Sequence, residues 1–585
     1  MKSNLVADRR AVALACMAIF LCSLAVRVFH WQDNREPPFN GMTGEYEAHG
    51  ELLARGDIRG FVYGPNPPSD ANVIKHPPGY PLLFAAIKRF FGPSANTWLR
   101  LLHIIADSLA AIVIFFLAYE FFRFRVATLA GMLIAFSPQL AYHSVALLPD
   151  PLAAPPLVLG LYLIVRAYKS PKFFTLFAAG VMIGISCWLR SNILLLPLFV
   201  CAVLPVLFKP GVRMRSSAAL LAGFLLLIVP VTIRNYVYFR SFIPISLSAG
   251  ITLVEGIGVN DRDHRFGLPD NDYLVSKWEA EKFQRPDYLA NRFGVDGVMR
   301  ERFRVQSGLK IIAHHPFWFS NVMLNRAASM LRLARVELIR SQPAITHSLN
   351  APAAPSVVIK TAADPGATAG FVKVDQPRGS ANLGRATAQP DTDYVLRVPL
   401  LIEHGGVAIE VVSAADNKTL AISPDYYPVN WLDLSENNQV TRTINLAFVS
   451  DTANEIQVKL TTEHGPFLAR VGEVELVSLG HASYTWTRYP RLLFRTIEKV
   501  FLTAVMLPLT MIGLIVLIKR KQWVPLAVLT IVPIYYMCVQ SALWTEFRYI
   551  LSMHYFLFVL AAVGFIWLYE QARLLILHRR RESPR

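Results

Sequence analysis

Gly44-Glu45-Tyr46-Glu47, Leu52-Leu53-Ala54-Arg55-Gly56-Asp57 and His76-Pro77-Pro78-Gly79-Tyr80-Pro81 share one polar stretch, from about Trp31 to Trp98, between the first two hydrophobic runs of the chain. The stretch is too polar to lie in lipid, yet runs long enough to cross a bilayer pin it at both ends. Carboxylates, a histidine and a proline-stiffened turn held at a membrane surface suggest a reaction centre. An ordinary solvated loop is the plainer reading, and the rest of the chain decides between them.

The chain has 585 residues, 54% of them hydrophobic, with a mean hydropathy of +0.38. Soluble chains of this size are rarely so apolar, and long uncharged runs place it in the membrane class. The net charge of +17 does not point to nucleic acid, because the basic residues cluster in short loops and at helix ends. That pattern encodes orientation and attraction to anionic lipid headgroups. The five cysteines, Cys16, Cys22, Cys187, Cys201 and Cys538, all fall inside apolar runs, so neither a disulfide framework nor a CxxC metal site is expected. The first run lacks a small-residue cleavage site and reads as a retained helix.

About ten runs have the 17–25 residues needed to cross a ~30 Å hydrocarbon core. They are centred on 11–29, 98–120, 126–146, 150–167, 173–189, 192–208, 217–237, 497–518, 523–543 and 551–572. If all ten cross, Lys2/Arg9/Arg10, Arg123/Arg125, Arg166/Lys169/Lys172, Lys209/Arg213/Arg215, Lys519/Arg520/Lys521 and Arg579/Arg580/Arg581 share one side. The positive-inside rule makes that side cytoplasmic, with both termini inside. The other side receives 30–97, 147–150, 189–192, 238–496 and 544–550. The expected organisation is a transmembrane core with external loops over 1–340, an extracytoplasmic domain over 350–482, and C-terminal spans with a basic tail over 490–585. Within 238–496, His315–Val336 is amphipathic, suited to a membrane interface or to the bundle. Short alternating runs at Tyr394–Leu401, Val407–Val412, Thr441–Val449, Ile456–Thr461 and Arg470–Val477 predict an all-β sandwich.

Several residues can carry chemistry. Glu45, Glu47 and Glu51 precede the second span, and if the stretch is helical Glu47 and Glu51 share a face. Carboxylates here can accept a proton from a hydroxyl or hold a divalent metal; a solvated acidic face is the alternative. The three prolines and glycine of His76–Pro81 make a stiff turn that holds His76 at the rim as ligand or acid/base. Asp150, in Leu147-Leu148-Pro149-Asp150-Pro151, is costly so near lipid unless a cavity or partner receives it; a helix cap is the other reading. Arg190, Arg234-Asn235-Tyr236 and Glu546-Phe547-Arg548-Tyr549 also fall at outer helix ends. Arginines there suit phosphate through bidentate bonding, with interfacial snorkelling as the alternative. His103, His143 and His554 read as packing residues, and Asp107 as paired inside the bundle.

Taken in order and by side, these motifs resemble the GT-C-fold glycosyltransferases, close to the bacterial dolichyl-phosphate-mannose–protein mannosyltransferase and aminoarabinose transferase families. The matching residues are Tyr46, Leu52-Leu53 to Gly56-Asp57, His76 to Pro81, Asp150, Trp188-Leu189-Arg190, Arg234-Asn235-Tyr236 with Phe242-Ile243-Pro244-Ile245-Ser246 and Gly250, and Glu546-x-Arg548-Tyr549. They cover about 1–335 and 490–575; the β insertion lies outside and is similar to carbohydrate-binding sandwiches.

The resemblance implies a multi-pass protein of the bacterial inner membrane that transfers a sugar from a polyprenyl-phosphate donor on the external face. The acceptor is a hydroxyl of a lipid, glycan or protein. No nucleotide cofactor or nucleic acid takes part. Arg190, Arg234 and Arg548 bind the phosphate; His76, Tyr80, Glu546 and Tyr549 join the substrate site; Glu45 or Glu47, with Asp150, acts on the acceptor. A divalent cation, with Glu45, His76 and Asp150 as candidate ligands, can assist. Those families place an Asp at the start of the first-loop helix. The equivalent positions here are Gly41 and Met42, and Glu45 is about one 5.4 Å turn further on. Two other classes stay open. A lipid-linked sugar transporter predicts broken helices near the midplane and internal repeats, whereas polar residues here gather at one face. A glycan-binding membrane protein with a decayed transferase core draws its support from Gly41 and Met42.

Overall fold

In the computed structural model of the protein, the described residues are 9–33, 40–64, 70–170, 172–289, 291–333, 356–359, 371–374, 379–423, 426, 442–462, 466–481 and 488–582. Lys2, the 334–336 end of the amphipathic run and much of 350–378 and 424–441 lie outside them. The chain divides into two units, one of Met1–Trp31, Arg35–Leu338 and Phe494–Arg585, the other of Gln32–Asn34 and Ile339–Leu493.

The first unit is helical. Among the described residues six helices are long and apolar enough to cross a membrane: Arg9–Trp31, Gly79–Tyr119, Pro149–Lys169, Pro210–Phe239, Trp523–Ala542 and Phe547–His578. Shorter apolar helices run over Phe173–Leu189, Ser191–Leu207 and Thr503–Lys519. The protein is a multi-pass membrane protein. The expected span over 126–146 is instead a pair, Phe124–Phe136 and Pro138–Ser144, bent by 52°. Pro138 has no N–H to return to the helix before it, so the chain turns there.

Arg27 repairs that break. Its Nη1 donates to the carbonyl of Ala135 at 3.0 Å, and its Nε donates to Asp107 at 2.6 Å. Tyr555 completes the group by donating to the other Asp107 oxygen. Arg27 and Asp107 are both fully buried, so the first, second and last long helices and the bent pair meet on one ion pair. A carboxylate and a guanidinium are stable in an apolar bundle only when each satisfies the other.

Four further helices follow the Pro210–Phe239 helix: Ala249–Asn260, Asp272–Phe283, Gly297–His314 and Pro316–Met330. Their polar sequence hides a buried network. Glu279 accepts from Arg300 at 2.8 Å and from Arg304 at 2.6 Å, all three with no exposure. Arg304 also bonds Glu301 at 3.1 Å, and Glu301 caps the Ala249–Asn260 helix through the N–H of Gly250 at 2.6 Å. On the amphipathic helix Phe319, Val322 and Met330 are buried while Phe317 and Leu324 are exposed.

The second unit is an antiparallel β sandwich. Its strands are β1 Ser356–Ile359, β2 Phe371–Val374, β3 Gly379–Thr387, β4 Thr392–His404, β5 Ala408–Ser413, β6 Thr419–Ile422, β7 Arg442–Val449, β8 Glu455–Thr462, β9 Phe467–Val471 and β10 Val474–His481. One sheet has the order β1-β10-β4-β9-β2, with β7 also on β4; the other is β3-β8-β5-β6. Leu396, Val398, Ile444 and Phe448 of the first face Ile409, Val411, Ile456 and Leu460 of the second in one core. The expected single strand Arg470–Val477 is broken at Gly472-Glu473. The break lies beside Pro399 of β4, which has no N–H for the ladder and whose carbonyl accepts from Gly472 N at 2.8 Å.

Asp107→Ala leaves Arg27 buried without its counter-charge, and the expected cost is about 3–5 kcal/mol of stability, read from thermal unfolding of the purified chain in detergent. Arg27→Met combined with Asp107→Leu is expected to recover most of it; a single variant as stable as the wild type would contradict the pairing.

Candidate active site

The first-loop stretch folds as a helix over Asn40–Ala54, a short helix over Ile58–Tyr63 capped by Asp57, and a 3-10 turn at Asn72–Ile74, before the Gly79–Phe91 helix begins. Pro78 ends the turn and Pro81 falls in the first helical turn, where its missing N–H costs nothing. A Cβ on Gly79 would stand 2.7 Å from the carbonyl oxygen of Trp188. Only glycine admits that approach, which brings His76 of the loop against the end of the Phe173–Leu189 helix, where Arg190 leaves the helix in an extended conformation.

Arg190 is the junction. Its Nε lies 3.0 Å from Asp150 Oδ1, its Nη1 donates to the hydroxyl of Tyr46 at 3.5 Å, and its guanidinium lies 4.3 Å from the ring centroid of Tyr549. Arg548 approaches the same ring at 5.0 Å, donates to its hydroxyl at 3.2 Å, and pairs with Glu546 at 2.6 Å. Asp150 and Arg548 are buried. Asp150 is not the helix cap: Leu148 occupies that position and Asp150 falls inside the first turn. Asn192 fixes the loop by donating to the carbonyl of Tyr549 at 2.8 Å while its own carbonyl accepts from Tyr535 at 2.6 Å.

From Tyr46 a second chain of contacts runs outward. Tyr46 Oη is 3.4 Å from His76 Nδ1, and His76 Nε2 is 3.1 Å from Glu45 Oε2, which also accepts from Lys75 at 2.6 Å. Arg292 reaches Glu45 at 3.7 Å. Burial pushes the His76 imidazole down to about 4, against the opposing pull of Glu45. Burial alone would raise the Glu45 carboxyl, but the bond from His76 and the charge of Lys75 outweigh it and bring it to about 2. Burial raises the Tyr46 phenol. At neutral pH the carboxylate is therefore ionised, the imidazole neutral and the phenol protonated. This assigns the ring: Nε2–H donates to Glu45, leaving Nδ1 to accept from Tyr46.

The structure thus brings together Glu45, His76, Asp150, Arg190, Glu546, Arg548 and Tyr549. It does not bring in the others. Glu47 faces the opposite way and accepts from Asn96 at 2.8 Å, because residues two apart on a helix point to different faces. Arg234 donates to the carbonyl of Val62 at 3.1 Å, and Asn235 holds the turn of Ile243 and Ile245 through their carbonyls. Tyr80 reaches the site only through Tyr46, to whose ring it lies edge-on, and its hydroxyl is 3.3 Å from His103. Lys75 and Arg292 went unnoticed in the sequence; Lys75 had the signal of adjoining His76, whereas Arg292 had none. Glu45, His76 and Asp150 do not form one metal-ligand set. Glu45 is engaged by Lys75 and Arg292, Asp150 by Arg190, and no three His, Cys, Asp or Glu side chains converge as a metal site among the described residues.

Residues 75–233 match the model of the dolichyl-phosphate-mannose–protein mannosyltransferase family. The matched stretch runs from Lys75 through the His76–Pro81 turn, Asp150 and Arg190 to the last turns of the Pro210–Phe239 helix. No curated protein matches the sequence. Among solved structures, the chain is similar to the archaeal oligosaccharyltransferase AglB from Archaeoglobus fulgidus in complex with an inhibitory peptide and a dolichol-phosphate, at 14% identity and a TM-score of 0.41 over 97% of this chain and 52% of that one. It is also similar to ArnT from Cupriavidus metallidurans bound to undecaprenyl phosphate, at 15% identity and a TM-score of 0.32 over 55% of this chain and 64% of that one. The arabinosyltransferase EmbB from Mycobacterium smegmatis matches at 10% identity with a TM-score of 0.27, over 82% and 66%. The chain spans about half the length of the oligosaccharyltransferase.

The depressed His76 value sets a pH dependence. Between about 6.5, the usual imidazole value, and about 4, the unfolded chain binds a proton that the folded one does not. His76 thus lowers stability as pH falls through that window and leaves it complete above it. The unfolding midpoint of the wild type minus that of His76→Gln is expected to fall from pH 7 to pH 4.5; a constant difference would contradict the assigned neutral ring.

Proposed function

We propose that the chain is an integral membrane glycosyltransferase that moves a sugar from a polyprenyl-phosphate-linked donor to an acceptor hydroxyl. The observation that carries this is that the guanidiniums of Arg190, inside the family match, and of Arg548, beyond it, both lie against the ring of Tyr549, at 4.3 and 5.0 Å from its centroid. Two guanidiniums held together at helix ends present planar donor forks suited to phosphate oxygens, and Asp150 and Glu546 balance their charges. The family's own name carries a dolichyl-phosphate sugar, which supports a lipid phosphate as that ligand.

In this reading Arg190 and Arg548 hold the donor phosphate. As the bond between the anomeric carbon and the phosphate oxygen breaks, negative charge grows on that oxygen, and fixed cations stabilise it without reorganising. Asp150 aims Arg190. Glu45, through His76, holds the Tyr46 hydroxyl toward the same guanidinium. Direct displacement by the acceptor inverts the anomeric centre. In this reading both termini lie in the cytoplasm of a bacterial cell, the site lies on the outer face and residues 350–482 form an extracytoplasmic domain, which the side shared by the basic connections supports. The acceptor is a lipid, glycan or protein.

Purified wild type in liposomes, offered a panel of radiolabelled polyprenyl-phosphate sugars and envelope acceptors, is expected to transfer at least one of them. Arg190→Gln and Arg548→Gln are expected to lower kcat/KM by roughly 10²–10³, and Asp150→Asn to lower it as well. No turnover with any donor, alongside glycan binding by the full chain, would replace the enzyme with the binding-protein reading.

A further inference from the structure

Displacement by a hydroxyl needs a base, and the groups beside the arginines are poorly suited to be one. Glu45, at about 2, and His76, at about 4, hold a proton too weakly to take one efficiently near neutral pH. Both are also committed, Glu45 to Lys75 and Arg292 and His76 to Glu45 and Tyr46.

We propose that Glu255 is the base that takes the proton of the acceptor hydroxyl; the inference rests on the transferase reading above. Glu255 is buried in the middle of the Ala249–Asn260 helix. That helix lies against the turn leading to the arginine loop. Trp544 N donates to Thr252 O at 2.8 Å, and a Cβ on Gly256 would lie 2.9 Å from Trp544 N, so the residue next to Glu255 must be glycine for the turn to pack there. Arg326 clamps the same junction, donating to the carbonyls of Ser541 at 3.0 Å, Leu543 at 3.1 Å and Gly256.

The charged groups facing Glu255 are Arg292, Arg304, Glu546 and Asp270, with Arg326 on the neighbouring carbonyl. Two of them belong to the site. Arg292 is the residue that reaches Glu45, and Glu546 is the partner of Arg548. The charges that act on Glu255 thus include one group from each half of the site, the first-loop side and the arginine side, and Glu255 itself forms no ion pair among the described residues. Burial, helped by Glu546 and Asp270 and opposed by Arg292 and Arg304, raises it to about 7. A carboxylate near the working pH is the form of acid/base group best matched to a proton transfer. In the step, the acceptor O–H bond breaks with its proton passing to Glu255, the oxygen bonds to the anomeric carbon, and the electron pair of the breaking sugar–phosphate bond leaves with the phosphate.

The experiment is the pH profile of kcat/KM from pH 5 to 9, using a polyprenyl-phosphate sugar from the panel with wild type, Glu255→Gln and Glu255→Asp. Wild type is expected to lose activity on the acid side with a midpoint near 7. Glu255→Gln is expected to lose at least about 100-fold at every pH with the donor KM unchanged, and Glu255→Asp to keep part of the activity with its acid limb moved. Wild-type thermal midpoints for the variants separate this from misfolding; if Glu255→Gln fails to fold, the limb of Glu255→Asp decides, unmoved meaning the inference is wrong. A Glu255→Gln enzyme within threefold of wild type with the same limb overturns the inference alone. A wild type that transfers no sugar overturns the transferase reading and this inference with it.

Discussion

Arg190 is the point on which the site depends. Through one guanidinium it touches Asp150 at the start of one long helix, Tyr46 in the first loop and Tyr549 ahead of the last helix, while its own backbone ends the Phe173–Leu189 helix. These pieces are separated by up to several hundred residues in the chain. A guanidinium suits the junction because it is planar, always charged and able to bond in its plane while stacking on its faces. A lysine offers a point charge and no such face.

Buried charge recurs as the means of assembly elsewhere in the helical unit. Arg27 and Asp107 join the long helices, and Arg300, Arg304, Glu279 and Glu301 join the shorter helices that follow Phe239. Each network includes main-chain carbonyls or N–H groups that the helices leave unpaired at a break or an end. Apolar packing holds such elements together, but it does not by itself choose where a helix must break or how two polar helices register. Paired charges make that choice, since a misplacement strands an ion out of water. Arg326 ties the junction that carries Glu255 and the arginine loop through three main-chain carbonyls.

Much of this was legible from local pattern. All ten apolar runs are helical in the structure, and the alternating runs of the second unit became strands because a two-residue period is visible over a few positions. The first-loop turn was legible because prolines and a glycine act locally. What failed did so for long-range reasons. Arg234 and Glu47 had the right chemistry and nearly the right place, yet Val62 and Asn96 claim them. The helix Gly297–His314 is polar in sequence, and only its partner Glu279, some twenty residues earlier, makes Arg300 and Arg304 a core. The bend at Pro138 was marked by a proline, but the carbonyls it frees are satisfied by Arg27, more than a hundred residues away. Glu255 carried no motif at all; its surroundings exist only once the chain has folded.

The central claim is that Arg190 and Arg548 form the seat of a lipid phosphate. A cryo-EM map of the chain in nanodiscs containing undecaprenyl phosphate tests it most directly. Phosphate density is expected within hydrogen-bonding reach of both guanidiniums, with the prenyl tail running away between helices. Phosphate density at any other site, with the two arginines still closed on Asp150 and Glu546, would contradict it.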